Sequence, residues 1–353
     1  MTDGAETPFA GLDPDMILAA VEALGLRADG RVLALNSFEN RVYRVGLEGE
    51  TGNEERATSG GARFARMAQG NGGGAVVVKF YRPGRWSDEG IREEHAFVAE
   101  LAAADISVVA PLAFAGETLH RHAGYRYALF PLRGGHAPEL GDRDVLRHLG
   151  RVLGRLHAVG AGARFAHRPV LDVEHFGHAP IDFLLDGDWL PDDLGENVAV
   201  LADAVLEDVE ERFAALPDIA MLRLHGDCHP GNILWRDGHA HFVDLDDCLT
   251  GPAVQDLWML AGRREDSGPA WRWLLEGYGE FRAFDRRELA LVEPLRALRL
   301  LHYNGWIARR WHDPAFPAAF PAFATRAWWE ALIGQLQEQL AAFAEPPVDP
   351  DAR

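Results

Sequence analysis

Residues 222–247 read LRLHGDCHPGNILWRDGHAHFVDLDD, with polar groups crowded at both ends of the stretch. His225, Asp227 and Asn232 fall in the loop HGDCHPGN, and Asp244, Asp246 and Asp247 follow the apolar HFV. Pro230 and two nearby glycines exclude a helix here. A turn at Asp237-Gly238 between ILW and HFV points instead to a hairpin that presents polar groups at its ends. The chemistry open to these residue types is narrow. A carboxylate orients an attacking hydroxyl and accepts its proton, while an Asn carbonyl and an Asp carboxylate supply hard oxygen ligands for magnesium; phosphoryl transfer uses both.

Asp227 followed five residues later by Asn232 has the spacing of the kinase catalytic loop H-R-D-x-x-x-x-N, with His225 in the place of that motif's histidine. Asp244, twelve residues after Asn232 at the end of a short strand, is placed as the second metal ligand, with Asp246 and Asp247 as competitors. By itself D-x-x-x-x-N is weak, because Asp and Asn are common turn formers. Two further residues in kinase order strengthen it. Among 35 Lys and Arg there is one lysine, Lys79, in AVVVKFYRPGRW. A compact ammonium with rotatable donors suits phosphate in a way that a planar guanidinium does not. About fifteen residues on, Glu94 shares the helical stripe of Ile91, Val98 and Leu101. A carboxylate on a buried face needs a cation, so Glu94 is expected to pair with Lys79.

These residues must be positioned by a small sheet followed by helices. Pro14 after Asp13 opens an amphipathic helix. RVLALN (31–36), RVYRV (41–45) and AVVVKFY (75–81) have strand composition, and a hairpin about Ala123-Gly124 joins TLHRH to YRYALFPL. The stretch SDEGIREEHAFVAELAAAD begins with a Ser cap and continues as a helix. Residues of about 47–74 are polar and Gly-rich without apolar period, the pattern of a flexible insertion; their GNGGG lacks the Gly-Lys-Ser/Thr end of a phosphate loop. After the Pro/Gly-bearing connector 131–142, helical spacing dominates in RDVLRHLGRVLGRLHAV, in ENVAVLADAVLEDVEERFAAL, over 286–310 and in TRAWWEALIGQLQEQLAAF. The expected organisation is a sheet lobe over 1–132, a helical lobe over 133–345 and a loose tail over 346–353.

Composition narrows the class further. The 353 residues are 48 % hydrophobic, enough for a sizeable core, and the net charge of -19 argues against coating nucleic acid or binding an anionic membrane. No charge-free apolar run approaches a membrane span, and the acidic start MTDGAETPFA is unlike a secretory signal, which points to the cytoplasm. Cys228 and Cys248 are expected to be reduced thiols. With His229, His239 and His241 they show no zinc-ligand spacing, and His229 is expected to order the catalytic loop. Asp256 in QDLW is expected to be a buried anchor accepting backbone hydrogen bonds from that loop.

HGDCHPGNILW with FVDLDD, GPAVQDLWML, NSFENRVYRV and VVVKFYRPGRW together resemble bacterial stress-response serine/threonine kinases of the aminoglycoside phosphotransferase (choline kinase-like) family, over most of the chain. The resemblance implies an α+β, protein kinase-like two-lobed fold with one buried helix against the small sheet. It also implies ATP as co-substrate with Mg2+, Asp227 as catalytic base, Asn232 and Asp244 as metal ligands, and Lys79 with Glu94 as the ion pair. Ser37, Glu39 and Asn40 would form a turn covering the nucleotide, and Phe130 to Leu132 an adenine-contacting hinge. The chain departs from eukaryotic protein kinases in lacking G-x-G-x-x-G, D-F-G and A-P-E, so activation-loop control does not carry over.

The expected activity is phosphorylation of protein Ser/Thr, with autophosphorylation and Ser37 as a candidate acceptor, by a monomer. The enzymic alternative is a small-molecule kinase acting on an aminoglycoside, a choline-like alcohol or homoserine. The alternative of another class, a nucleotide-binding pseudokinase scaffold, is opposed by the complete set Lys79, Asp227, Asn232 and Asp244.

Overall fold

Asp13 caps the first helix: its carboxylate accepts the Met16 amide, Pro14 takes the first helical position, and α1 runs over Pro14–Glu22. Four-residue spacing then places Ile17 and Val21 on one buried face. They pack on a five-stranded antiparallel sheet of β1 (Ala28–Ala34), β2 (Arg41–Leu47), β3 (Ala75–Phe80), β4 (His120–His122) and β5 (Tyr125–Pro131), ordered β1-β2-β3-β5-β4. β1 begins three residues before the expected RVLALN. The register slips between Ala28 and Val32, where Gly30 has φ +85° and Arg31 N donates to Asp29, so the strand accommodates a bulge that its apolar pattern does not signal. The β4–β5 turn is the expected Ala123-Gly124, with φ +46° and +88°.

The computed structural model describes residues 7–48, 74–262, 264 and 267–351. The insertion expected at about 47–74 lies outside these apart from its ends. The chain divides into two units, one of 1–136 with 241–246 and one of 137–240 with 247–353. The return of 241–246 to the first unit had no sequence signal.

Side chains alternate along β3. Val76, Val78 and Phe80 face the α1 core with Val45, Tyr127 and Leu129, which turns Lys79 to the other face. There Lys79 is opposite Ala128 of β5, and Ala128 packs with Tyr81 and with Ile91 of α2 (Asp88–Ala103), the helix capped by Ser87. Glu94 lies on the same buried stripe. A lysine and a glutamate are thereby both brought into the interior on one side of the sheet.

The second unit is mainly helical. It holds α3 (Arg143–Gly160), α4 (Ala179–Asp186), α5 (Asp192–Ala214), α6 (Ser267–Tyr278), α7 (Val292–Arg309), α8 (Ala315–Ala319) and α9 (Arg326–Phe343). α3 and α6 cross with backbones in contact: a Cβ at Gly150 would lie 2.0 Å from the Leu274 carbonyl oxygen, and one at Gly277 would lie 2.0 Å from that of Arg147. The segment 222–247 is a more complex unit than one hairpin. β7 (Ile233–Arg236) and β8 (His239–Phe242) form the expected ribbon, while β6 (Met221–Leu224) pairs with β9 (Leu249–Pro252), whose LTGP has weak strand propensity and forms by pairing. Among the described residues no helix is long and apolar enough to cross a membrane.

Candidate active site

In the first unit the charged groups gather on Lys79. Its ammonium stands 2.9 Å from Asp244 and 3.1 Å from Asp246. Burial works against the ammonium's charge, yet Asp244, Asp246 and Glu94 together hold its pKa well above the ordinary lysine value. Lys79 thus answers two aspartates directly, and the expected partner Glu94, 2 % exposed, acts on it through its field.

The three competing aspartates have different surroundings. Asp246 is 2 % exposed, ion-paired to Arg85, and accepts from the Asn40 amide at 3.0 Å. Asp244 has a half-exposed side chain and a left-handed backbone at φ +58°, a conformation Asp tolerates better than most residues. Asp247 is partly buried. Of the three, Asp244 offers a carboxylate to an incoming group.

The turn NSFEN is bound into the same cluster. Ser37 Oγ donates to the Asn40 carbonyl at 3.3 Å, Asn40 Oδ1 accepts the Arg82 amide at 3.0 Å, and Glu39 pairs with Arg82 at 2.9 Å. Glu39 and Asn40 therefore hold the turn to the end of β3. Phe130 packs beside Tyr81 and Ile91 and meets the His95 ring edge-on at 6.4 Å, while Leu132 is exposed. Arg82 and Arg85 were missed as site residues, although both lie in the stretch that drew attention to Lys79.

In the second unit Asp256 organises the loop. It is fully buried; Oδ2 accepts the His225 amide at 2.8 Å and Oδ1 the Gly226 amide at 2.9 Å. His157 of α3 meets Oδ2 at 3.1 Å and is itself bonded to the Tyr278 hydroxyl of α6 at 3.0 Å. Gly226 has φ +88°, and a Cβ there would lie 2.0 Å from the Asp247 carbonyl oxygen, so only glycine fits. The bend directs Asp227 out of the buried loop. His229 caps the short Pro230–Asn232 turn by accepting the Gly231 amide at 3.0 Å, and its other ring nitrogen is 3.5 Å from Asp227.

Asn232 Nδ2 donates to the Asp227 carbonyl at 2.9 Å, which leaves Oδ1 as the atom able to accept or coordinate. Arg299 of α7 donates to Asp227 Oδ1 at 2.7 Å. Burial pushes the Asp227 carboxyl up, but Arg299, His229 and His225 together hold it below the usual value. The group is therefore held as an anion. Arg299 also escaped notice in the sequence, where it was one basic residue within 286–310.

A carboxylate held ionised beside the Asn232 amide nitrogen, on an HGD loop clamped by a distant aspartate, is accompanied by a sequence match of residues 54–292 to the phosphotransferase enzyme family. The chain belongs to this family. Stress response kinase A of Salmonella paratyphi A is 42 % identical over 351 residues, 99 % of this chain and 98 % of the relative. The serine/threonine protein kinase RdoA of Salmonella typhimurium shows the same identity and coverage. Stress response kinase A of Escherichia coli K12 is 40 % identical over 96 % of both chains. Among solved structures, amicoumacin kinase hAmiN in complex with AMP-PNP, Ca2+ and Ami has a TM-score of 0.69 at 18 % identity, covering 96 % of this chain and 95 % of that one. A microcompartment-associated aminopropanol kinase has a TM-score of 0.65 at 17 % identity, with 95 % and 99 % covered. The α+β, protein kinase-like fold is that of these phosphotransferases.

Amicoumacin kinase hAmiN is solved with AMP-PNP and Ca2+; here Asp244 in the first unit offers a carboxylate oxygen and Asn232 in the second an amide oxygen, the donor type a hard ion takes. Among the described residues no group of three or more His, Cys, Asp or Glu side chains is gathered for a metal.

Proposed function

We propose that the protein is an ATP- and magnesium-dependent kinase that phosphorylates serine or threonine on proteins, in the cytoplasm. What carries the choice of acceptor is the 42 % identity, over nearly the whole of both chains, to a relative named a serine/threonine protein kinase. Lys79 would hold nucleotide phosphates by exchanging the Asp244 carboxylate for phosphate oxygens. Asp244 and Asn232 would ligate magnesium, whose charge draws off electron density from the transferring group. Asp227 would orient the acceptor hydroxyl. The hydroxyl oxygen bonds to the γ-phosphorus, the bond to the ADP oxygen breaks, and the hydroxyl proton passes to Asp227.

Incubation with labelled ATP and magnesium, with a generic protein acceptor or with a panel of aminoglycosides and amino alcohols, tests this. Label is expected in the protein acceptor and in the kinase itself, with Ser37 a candidate position, and in neither for Asp227→Asn. Turnover of an amino alcohol or aminoglycoside with no phosphoprotein would instead assign a small-molecule kinase, the activity named for amicoumacin and aminopropanol kinases.

A further inference from the structure

Arg299 begins a stripe on α7. Tyr303 and Trp306 follow it at four and seven residues, so all three share one helix face. Tyr303 is 38 % exposed and its ring stacks on Trp306 at 5.9 Å with an interplanar angle of 20°. Phe320 braces both rings edge-on, at 6.1 Å from Tyr303 and 5.8 Å from Trp306, and the fully buried Phe316 meets Trp306 at 4.9 Å. The pair is therefore braced from beneath, and Tyr303 is its exposed ring. It leads directly from the side chain that pairs with Asp227.

Two physical facts say what such a shelf takes. At about 1.5 Å of rise per residue, Tyr303 and Trp306 lie about 6 and 10 Å along the helix from Arg299. An extended polypeptide advances about 3.3 Å per residue, so these positions match side chains two and three residues from an acceptor at Asp227. The exposed ring is also aromatic and the nearby cations are already engaged: the Arg299 guanidinium donates to Asp227 at 2.7 Å, and the Arg310 guanidinium lies over the Trp306 ring at 5.6 Å.

We propose that Tyr303 and Trp306 form a specificity subsite that receives an aromatic or large aliphatic side chain two or three residues from the serine or threonine being phosphorylated. This rests on the protein-kinase activity proposed above and names its class of acceptor sequence. The bound side chain stacks on Tyr303 and removes apolar surface from water, while the extended backbone carries the hydroxyl to Asp227.

A peptide series tests it, with one serine in a polar background and a phenylalanine walked from four residues before it to four after. Wild type is expected to show kcat/KM raised about five- to tenfold when Phe stands two or three residues away on one side, the scale of an added aromatic contact. Tyr303→Ala should flatten that profile by raising KM for the Phe peptide, and Tyr303→Phe should restore it. A flat wild-type profile, or an unaltered one in Tyr303→Ala, together with continuing phosphorylation of protein, removes the subsite and leaves the kinase activity standing. No phosphorylation of any peptide or protein, with turnover of a cationic alcohol, removes both. The scan on wild type does not depend on the variants folding.

Discussion

Lys79 and Asp246 meet in the interior of the first unit, the ammonium 3.1 Å from a carboxylate whose side chain is 2 % exposed. Asp246 also bonds Arg85 and the Asn40 amide, so one anion ties together β3, the stretch after it and the NSFEN turn. Removing it takes a carboxylate from Lys79, which keeps Asp244, and from Arg85, which keeps Glu39 at 3.7 Å. Asp246→Ala should lower stability by about 3 to 5 kcal/mol, the usual loss when one partner of a buried ion pair is deleted. Urea unfolding checks this, and a loss under 1 kcal/mol would show that Asp244 takes over the charge. Lys79→Arg should fold yet lose turnover by orders of magnitude, since the forked guanidinium misplaces the phosphates.

Arg299 is expected to set the acid limb of the pH-rate profile. Burial raises the Asp227 carboxyl, whereas Arg299, His229 and His225 lower it, with a net depression. Deleting Arg299 therefore lets the pKa rise, and the acid limb of kcat should move to higher pH in Arg299→Ala. Arg299→Lys, which keeps a charge, should recover part of the shift. The linkage has the matching sign: a depressed carboxylate contributes stability above its unfolded pKa and loses it as pH falls through the folded value, so Arg299→Ala should be less stable than wild type at neutral pH and lose less on acidification. An unmoved limb would mean that the ion pair breaks when substrates bind.

Asp256 and Gly226 should be intolerant positions for distinct reasons. Asp256→Ala leaves the His225 and Gly226 amides and the His157 ring without their shared acceptor, at a cost of about 3 kcal/mol and with loss of turnover as the loop relaxes. Gly226→Ala combines a strained φ of +88° with a Cβ 2.0 Å from the Asp247 carbonyl oxygen. Melting temperature and soluble yield of the two variants are the measurements, and wild-type values for Gly226→Ala would contradict the close approach.

Glu288 makes stability depend on pH near neutrality. Burial is the main cause that pushes its carboxyl up to about 7, although it accepts the Val254 amide at 2.8 Å. A carboxyl raised above its unfolded value contributes stability that is complete below the unfolded value of about 4.3 and declines as pH rises through 7. The melting temperature should fall between pH 5 and pH 8, and Glu288→Gln should flatten that part of the curve. If the slope survived the substitution, another group would be its source.

Much of this protein was legible without a structure because the informative patterns are local. Asp227 and Asn232 are five residues apart on one loop, Pro14 and Ser87 announce helix starts, Ala123-Gly124 makes a hairpin turn, and period two on β3 separates Lys79 from its apolar neighbours. Propensity, capping and alternation act within a few residues, so sequence alone determined the small sheet, the helical remainder and the loop proposed to carry the chemistry.

Tertiary structure decided which charges meet. Arg299 is 72 residues from Asp227, and Arg85 is 161 residues from Asp246. No periodicity distinguishes these arginines from the others in a chain with 35 Lys and Arg, and β9 becomes a strand only because β6 lies beside it. Burial then divided the aspartates of FVDLDD, closing Asp246 among cations and leaving Asp244 half exposed. An ion pair across such separations has no local energetic trace. It exists only when packing has removed water from both partners and fixed the distance between them.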